Sequence, residues 1–236
     1  MKSEYREIAG ITLTVKRSKR RKTIGLKVEN GDVSVSAPYR VAHQDIEAFV
    51  SSKVAWVQKH LHRKLQQKPL KREFVQGESL PYLGSALALH YVPSAAVGFN
   101  KQGGTLELQG VLEPSSSQER ESVKDLLRVW YETEADIYLC DRVAVYSHVM
   151  GLLPKGIKVR SYKSRWGSCN SRGELQFNWQ IMLASSKVVD YVVIHELAHL
   201  KYFDHSPAFW AVVASVMPDY HIQRNWLREN GQQLKL

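Results

Sequence analysis

The chain has 236 residues, 44% of them apolar and 24% charged, the balance of a folded globular protein with enough core for one large domain or two small ones. No apolar run approaches the ~20 residues of a membrane span, the N-terminal residues carry no apolar signal region, and two cysteines, Cys140 and Cys169, exclude a disulfide scaffold. A reducing cytoplasm and no membrane partner are therefore expected, and the formal net charge of +10 points either to anionic partners (nucleic acid, nucleotides, acidic peptides) or simply to a basic surface.

In chain order, Ile11-Thr12-Leu13-Thr14-Val15 alternates apolar and polar side chains, a strand signal. Lys16-Arg17-Ser18-Lys19-Arg20-Arg21-Lys22 follows. Arg17, Lys19, Arg20 and Arg21 in this run are candidate phosphate contacts of a nucleic acid; the same charges also suit a solvated loop or a guarded strand edge. Ile24, Leu26, Val28 and Val33, Val35, Ala37 flank Asn30-Gly31, a two-residue hairpin turn that needs positive φ at both positions. Over 43–66, Ile46, Phe49, Val50, Val54, Val57, Leu61 and Leu65 recur at helical spacing and predict one helix with a basic outer face.

Residues 73–113 read as short strands, with Gly103-Gly104 as a turn, no phosphate-binding glycine pattern and no internal repeat. Pro114-Ser115-Ser116-Ser117 is the expected boundary between a β-rich N-terminal region, 1–114, and a second domain, 115–236. Ser116 and Glu119 form a candidate capping box for a helix reaching about His148. Its apolar face is expected to hold Val123, Leu126, Leu127, Trp130, Ile137, Ala144 and Val145, and Gly151 and Pro154 close it. Ile157 to Arg160 is a short strand, and Lys163 to Asn170 a compact turn in which Cys169 reads as a small buried residue. Leu175, Phe177, Trp179, Ile181 and Leu183 alternate with polar residues and predict a strand over 175–183 in an antiparallel sheet. Helices over 187–202, 207–217 and 219–230 complete the chain.

The densest chemical signal is His195-Glu196-Leu197-Ala198-His199. On a helix, positions i and i+4 share a face, so His195 and His199 can offer two imidazoles to one zinc ion. Glu196 stands beside them, free to take a proton from water as general base. The preceding Val188 to Ile194 is apolar except for Asp190, so ionisable groups inside this helix need a reason to be there. A catalytic zinc needs a third ligand, and His205 is the candidate, placed by Ser206-Pro207, an N-cap and first turn that restart the helix. Asp204 and Glu229 are its competitors; Asp204 reads as a turn residue and Glu229 as part of a polar helix end.

At Arg165-Trp166-Gly167-Ser168-Cys169, Phe177-Asn178-Trp179, Asp190 to His199 and His205-Ser206-Pro207-Ala208-Phe209-Trp210, the chain resembles the YgjP-like family of metal-dependent hydrolases, related to the SprT-like metalloproteases. The likeness runs from about Lys16 to about Asn230. It implies an α+β, zincin-like (minigluzincin) catalytic core of helices on a small antiparallel sheet, with zinc on His195, His199 and His205 and Glu196 as base. Arg165, Trp166 and Asn178 are the candidate substrate contacts; Arg165 suits a carboxylate or phosphate. The implied activity is of the metallopeptidase type, on a peptide or protein. Members of the family have also been described as nucleoside triphosphate pyrophosphatases acting on UTP, which makes a nucleotide the alternative substrate. The H-x5-H spacing after the first histidine pair also fits metzincins, but Tyr202 stands where that clan has glycine. A nucleic-acid-associated protein with a structural zinc is the third reading; Glu196 argues against it, since a closed site needs no base. The sequence sets no oligomeric state.

Overall fold

The period-two stripe of Leu13, Val15, Val33, Val35 and Ala37 demands a sheet with one buried face, and the computed structural model, which describes residues 3–29, 31–66 and 72–236, has one there. β1 (Ser3–Ile8), β2 (Ile11–Ser18), β3 (Gly25–Glu29) and β4 (Asp32–Pro38) form a four-stranded sheet in the order β1-β2-β4-β3. The central pair β2/β4 is parallel and both outer pairs are antiparallel. The β3–β4 hairpin places Glu29 opposite Asp32, with Gly31 at φ +89°; Asn30 lies outside the described residues. Ile46, Val50 and Val57 complete this core from α1 (His43–Ser51) and α2 (Val54–Gln66). The single helix expected over 43–66 is thus two. Ser52 Oγ donates to the Phe49 carbonyl at 2.8 Å and ends the first, and the side chain of Leu65 lies outside the described residues.

A second four-stranded sheet has the same plan. β5 (Ser79–Tyr82), β6 (Ser85–Val92), β7 (Gly98–Gln102) and β8 (Thr105–Gln109) run in the order β5-β6-β8-β7, with β6/β8 parallel and the outer pairs antiparallel. Gly103 and Gly104, both at positive φ, make the turn into β8. Leu80, Leu87, Leu89, Leu106 and Leu108 are buried with Val123, Leu127 and Trp130 of α3 (Ser117–Met150). That shared core explains why the chain divides into compact units Met1–Lys68 and Pro69–Leu236, and not at the Pro114-Ser115 stretch.

The Ser116/Glu119 capping box starts α3, and Gly151 at φ +64° ends it. Its buried stripe is Val123, Leu127, Tyr131, Ala135, Leu139, Val143 and Ser147, a run of four-residue steps. Ile137, Ala144 and Val145, expected on the inner face, are exposed because they fall between those steps.

The third sheet combines β9 (Gly156–Arg160), β10 (Gly167–Cys169) and β11 (Glu174–Asn178) in the order β10-β11-β9. β10/β11 is antiparallel and β9/β11 parallel, so the sheet is mixed where an antiparallel one was expected, and β11 is central. The strand expected to reach residue 183 stops at Asn178. Its side chain accepts from the Gln180 amide at 3.2 Å and starts a 3-10 helix, Trp179–Leu183. α4 (Ser186–Ala198), α5 (Pro207–Val216) and α6 (Tyr220–Asn230) follow. Arg142 of α3 grips Asp190 of α4 bidentately, Nε at 2.6 Å and Nη2 at 3.0 Å. The architecture is α+β, and no helix among the described residues is long and apolar enough to cross a membrane.

Candidate metal centre

α4 is buried on almost every side: Val188, Val189, Tyr191 to Ile194, Leu197 and Ala198 all lie in the core. The helix ends at Ala198, four residues short of the expected end, with His199 as its C-cap, and the chain turns. His199 Nδ1 faces the Tyr202 carbonyl at 2.9 Å. A carbonyl only accepts, so Nδ1 holds the proton and Nε2 is left as an electron-pair donor. Asp204 accepts from the Ser206 amide at 3.3 Å, and Ser206 Oγ caps α5 by accepting from the Phe209 amide, with Pro207 at the first position. These two short links aim His205 back at α4.

The result is a cluster in which one ring nitrogen from each of His195, His199 and His205 lies within 4.8 Å of the others. His205 Nε2 is 3.1 Å from His195 Nε2. Two neutral imidazoles facing lone pair to lone pair repel, so a proton or a cation must stand between them. Burial and the neighbouring His199 and His205 push His195 down to about 3, so the ring is neutral and keeps one nitrogen lone pair to offer a cation. The set therefore fits a divalent cation that accepts nitrogen ligands. His205 is exposed, so the cluster opens to solvent on that side. Neither competing ligand joins it. The Asp204 carboxylate is committed to Ser206, and Glu229 lies at the end of α6, 3.7 Å from Arg228.

Glu196 is 5% exposed, and among the described residues no donor is bonded to its carboxyl. Burial pushes it up to about 8 against the opposing pull of Arg165. β10 comes so close that a Cβ on Gly167 would lie 2.6 Å from Glu196 Cγ and Oε1. Only glycine permits this approach, so Gly167 fixes where the carboxylate stands. Between β10 and the histidines is a cavity of about 280 Å³, bounded by Gly167, Ser168 and Cys169 on one side and by the histidines, Glu196 and Phe203 on the other.

The remaining candidates separate. Arg165 is exposed, its guanidinium 4.8 Å from the Tyr162 ring centroid, and its charge reaches Glu196. Trp166 packs against Gly231, where a Cβ would sit 3.1 Å from the indole, and so belongs to the core. Asn178 is not placed as a substrate contact. Its Nδ2 donates to the Tyr162 and Arg165 carbonyls at 3.0 and 3.2 Å while its oxygen caps the 3-10 helix, so its polar groups hold the loop before β10. In the basic run, Arg17 donates to the Tyr39 and Val41 carbonyls, Arg21 lies against Gly25, and Lys19 and Arg20 are exposed. These four belong to the first compact unit.

Sequence reasoning missed an aromatic stack beside His205. Trp210 stacks on His205 with ring centroids 5.6 Å apart, and Tyr220 stacks on Trp210 at 5.1 Å. The Arg224 guanidinium lies 4.4 Å from the Trp210 centroid. The i, i+4 spacing of Tyr220 and Arg224 put both on one face of α6, but nothing in the sequence linked that face to His205.

Ring nitrogens converging beside a buried carboxylate that accepts no hydrogen bond from the described residues, next to an edge strand, are an arrangement suited to metal-dependent hydrolysis. The chain belongs to the YgjP-like family: the family model for the YgjP-like metallopeptidase domain matches residues 22–230. Among solved structures it is similar to the metallopeptidase zymogen of Pyrococcus abyssi abylysin, with 22% sequence identity and a TM-score of 0.35 over 38% of this chain and 93% of that one. No curated protein sequence matches the chain.

Proposed function

We propose that the protein is a zinc-dependent peptidase in which His195, His199 and His205 hold the ion and Glu196 is the general base. The observation that carries this reading is the buried Glu196 carboxyl, set against Gly167 and beside three converging imidazoles. A structural zinc site would have no use for it. When bound, zinc supplies Lewis acidity, polarising a carbonyl and lowering the pKa of water to about 7. Glu196 takes a proton from water in the cavity and returns it to the leaving amine. Burial, which raises its proton affinity, suits it to both steps. β10 is the free edge of its sheet and borders the cavity, so it can pair with an extended peptide. β11 is not available for such pairing, because it is central and already paired on both sides.

Zinc-loaded protein assayed against panels of peptides and nucleoside triphosphates tests the reading. Peptide cleavage is expected; turnover of triphosphates alone would assign the same ion and base to the nucleotide alternative. His205→Ala is expected to lose zinc on dialysis while Glu229→Ala keeps it, and the reverse would remove His205 from the ligand set. Binding of nucleic acid by Lys19 and Arg20 remains a separate proposal. A salt-dependent affinity that falls on replacing both would support it.

A further inference from the structure

Two arginines lie close to the cavity wall without lining it. Among the described residues, no carboxylate forms an ion pair with Arg165 or Arg224. Each is laid over an aromatic ring, Arg165 over Tyr162 and Arg224 over Trp210, which restrains a long side chain and keeps its planar donor fork available. They approach from different elements: Arg165 from the loop two residues before Gly167, which abuts Glu196, and Arg224 from α6, laid over Trp210, which in turn stacks on His205. Among the described residues, Glu196 is the only carboxylate in the cavity wall; Asp204, next to His205, is committed to Ser206. Placing unpaired cations beside a cluster suited to a metal cation is electrostatically unfavourable unless an anion joins them.

We propose that Arg224, together with Arg165, forms an anion-binding rim on the metal cavity, and that the preferred substrate is a peptide with a carboxylate close to the bond cut. This rests on the peptidase reading. The carboxylate is a side-chain Asp or Glu or the peptide's own C-terminus, docked bidentately on a guanidinium while the chain lies along β10.

The test is calorimetric binding to zinc-loaded Glu196→Gln protein, which holds substrate without turning it over. Matched extended peptides are compared: one neutral and amidated, one with an internal Glu, one with a free C-terminus. Acidic peptides are expected to bind about tenfold or more tightly than the neutral one, with a preference that weakens as salt rises. Arg224→Ala should collapse the acidic-to-neutral ratio toward one, and Arg224→Lys should restore part of it, at unchanged zinc content and melting temperature. An unchanged ratio in Arg224→Ala, or an equal loss for all three peptides, overturns the inference and leaves the peptidase reading intact. Binding of inorganic triphosphate but of no peptide overturns both.

Discussion

The two four-stranded sheets share strand order and pairing sense, yet they serve different ends. The first closes on its own helices around Val35, Ile46 and Val50. The second shares one core with α3, the 3-10 helix and α4. Its β5–β6 turn is also bonded to the start of the histidine-bearing helix. The Leu83 amide donates to the Met182 carbonyl at 2.8 Å, the Ser186 amide to the Leu83 carbonyl at 3.4 Å, and Tyr131 Oη to the Pro81 carbonyl at 2.6 Å. Gly84, at φ +88°, lies so close that a Cβ there would stand 3.2 Å from Ser185 Cα and Cβ. A sheet topology therefore does not decide whether a sheet supports a site; what its turn and apolar face touch does.

The comparison is tested most strongly in the cores. Leu108→Ala and Ile46→Ala each empty a fully buried position and should cost about 2–5 kcal/mol of unfolding free energy in denaturant. Leu108→Ala should also weaken zinc retention on dialysis, while Ile46→Ala should leave it unchanged. Equal loss of zinc in both would erase the distinction between the sheets.

Ion pairs give a smaller contrast. A double-mutant cycle on Arg142 and Asp190, bidentate and partly buried between α3 and α4, should return a coupling of about 1–3 kcal/mol. Arg6 and Glu4, exposed on β1, should show no measurable coupling. The smallest contrast is in helix caps. Ser116→Ala should cost about 1 kcal/mol by removing the α3 cap, whereas Ala42→Asp should stabilise α1, whose N-cap has no side-chain hydrogen bond, by about 0.5–1 kcal/mol. Thermal melts of the two variants against the parent protein check both signs.

Much of this was legible in the sequence, because some signals are local. The i, i+4 histidines, the Ser206-Pro207 restart, the Ser116/Glu119 box and the Asn30-Gly31 spacing each act within a few residues. The failures arose where a local pattern had two meanings. Apolar residues at 179, 181 and 183 alternate as in a strand, but Asn178 turns the chain and Met182 is buried as well. The α1/α2 break keeps apolar spacing across it, so periodicity could not reveal it. Gly167 stands in a stretch the sequence marked, but its reason for being glycine was beyond a local reading, as was Arg224: one matters because another element's carboxylate occupies its Cβ space, the other because α6 brings it to a ring on α5. The repeated sheet plan was invisible because topology leaves no residue signature.

The central claim, that three histidines hold the metal while Glu196 does the proton transfer, is tested most directly by one preparation. Glu196→Gln keeps the shape of the side chain beside Gly167 but cannot accept a proton. Its metal content and its turnover of a verified peptide should be measured together. The account predicts one zinc per chain, as in the parent protein, and turnover lowered by about 10²–10⁴-fold. Near-parental turnover at full zinc occupancy would contradict it.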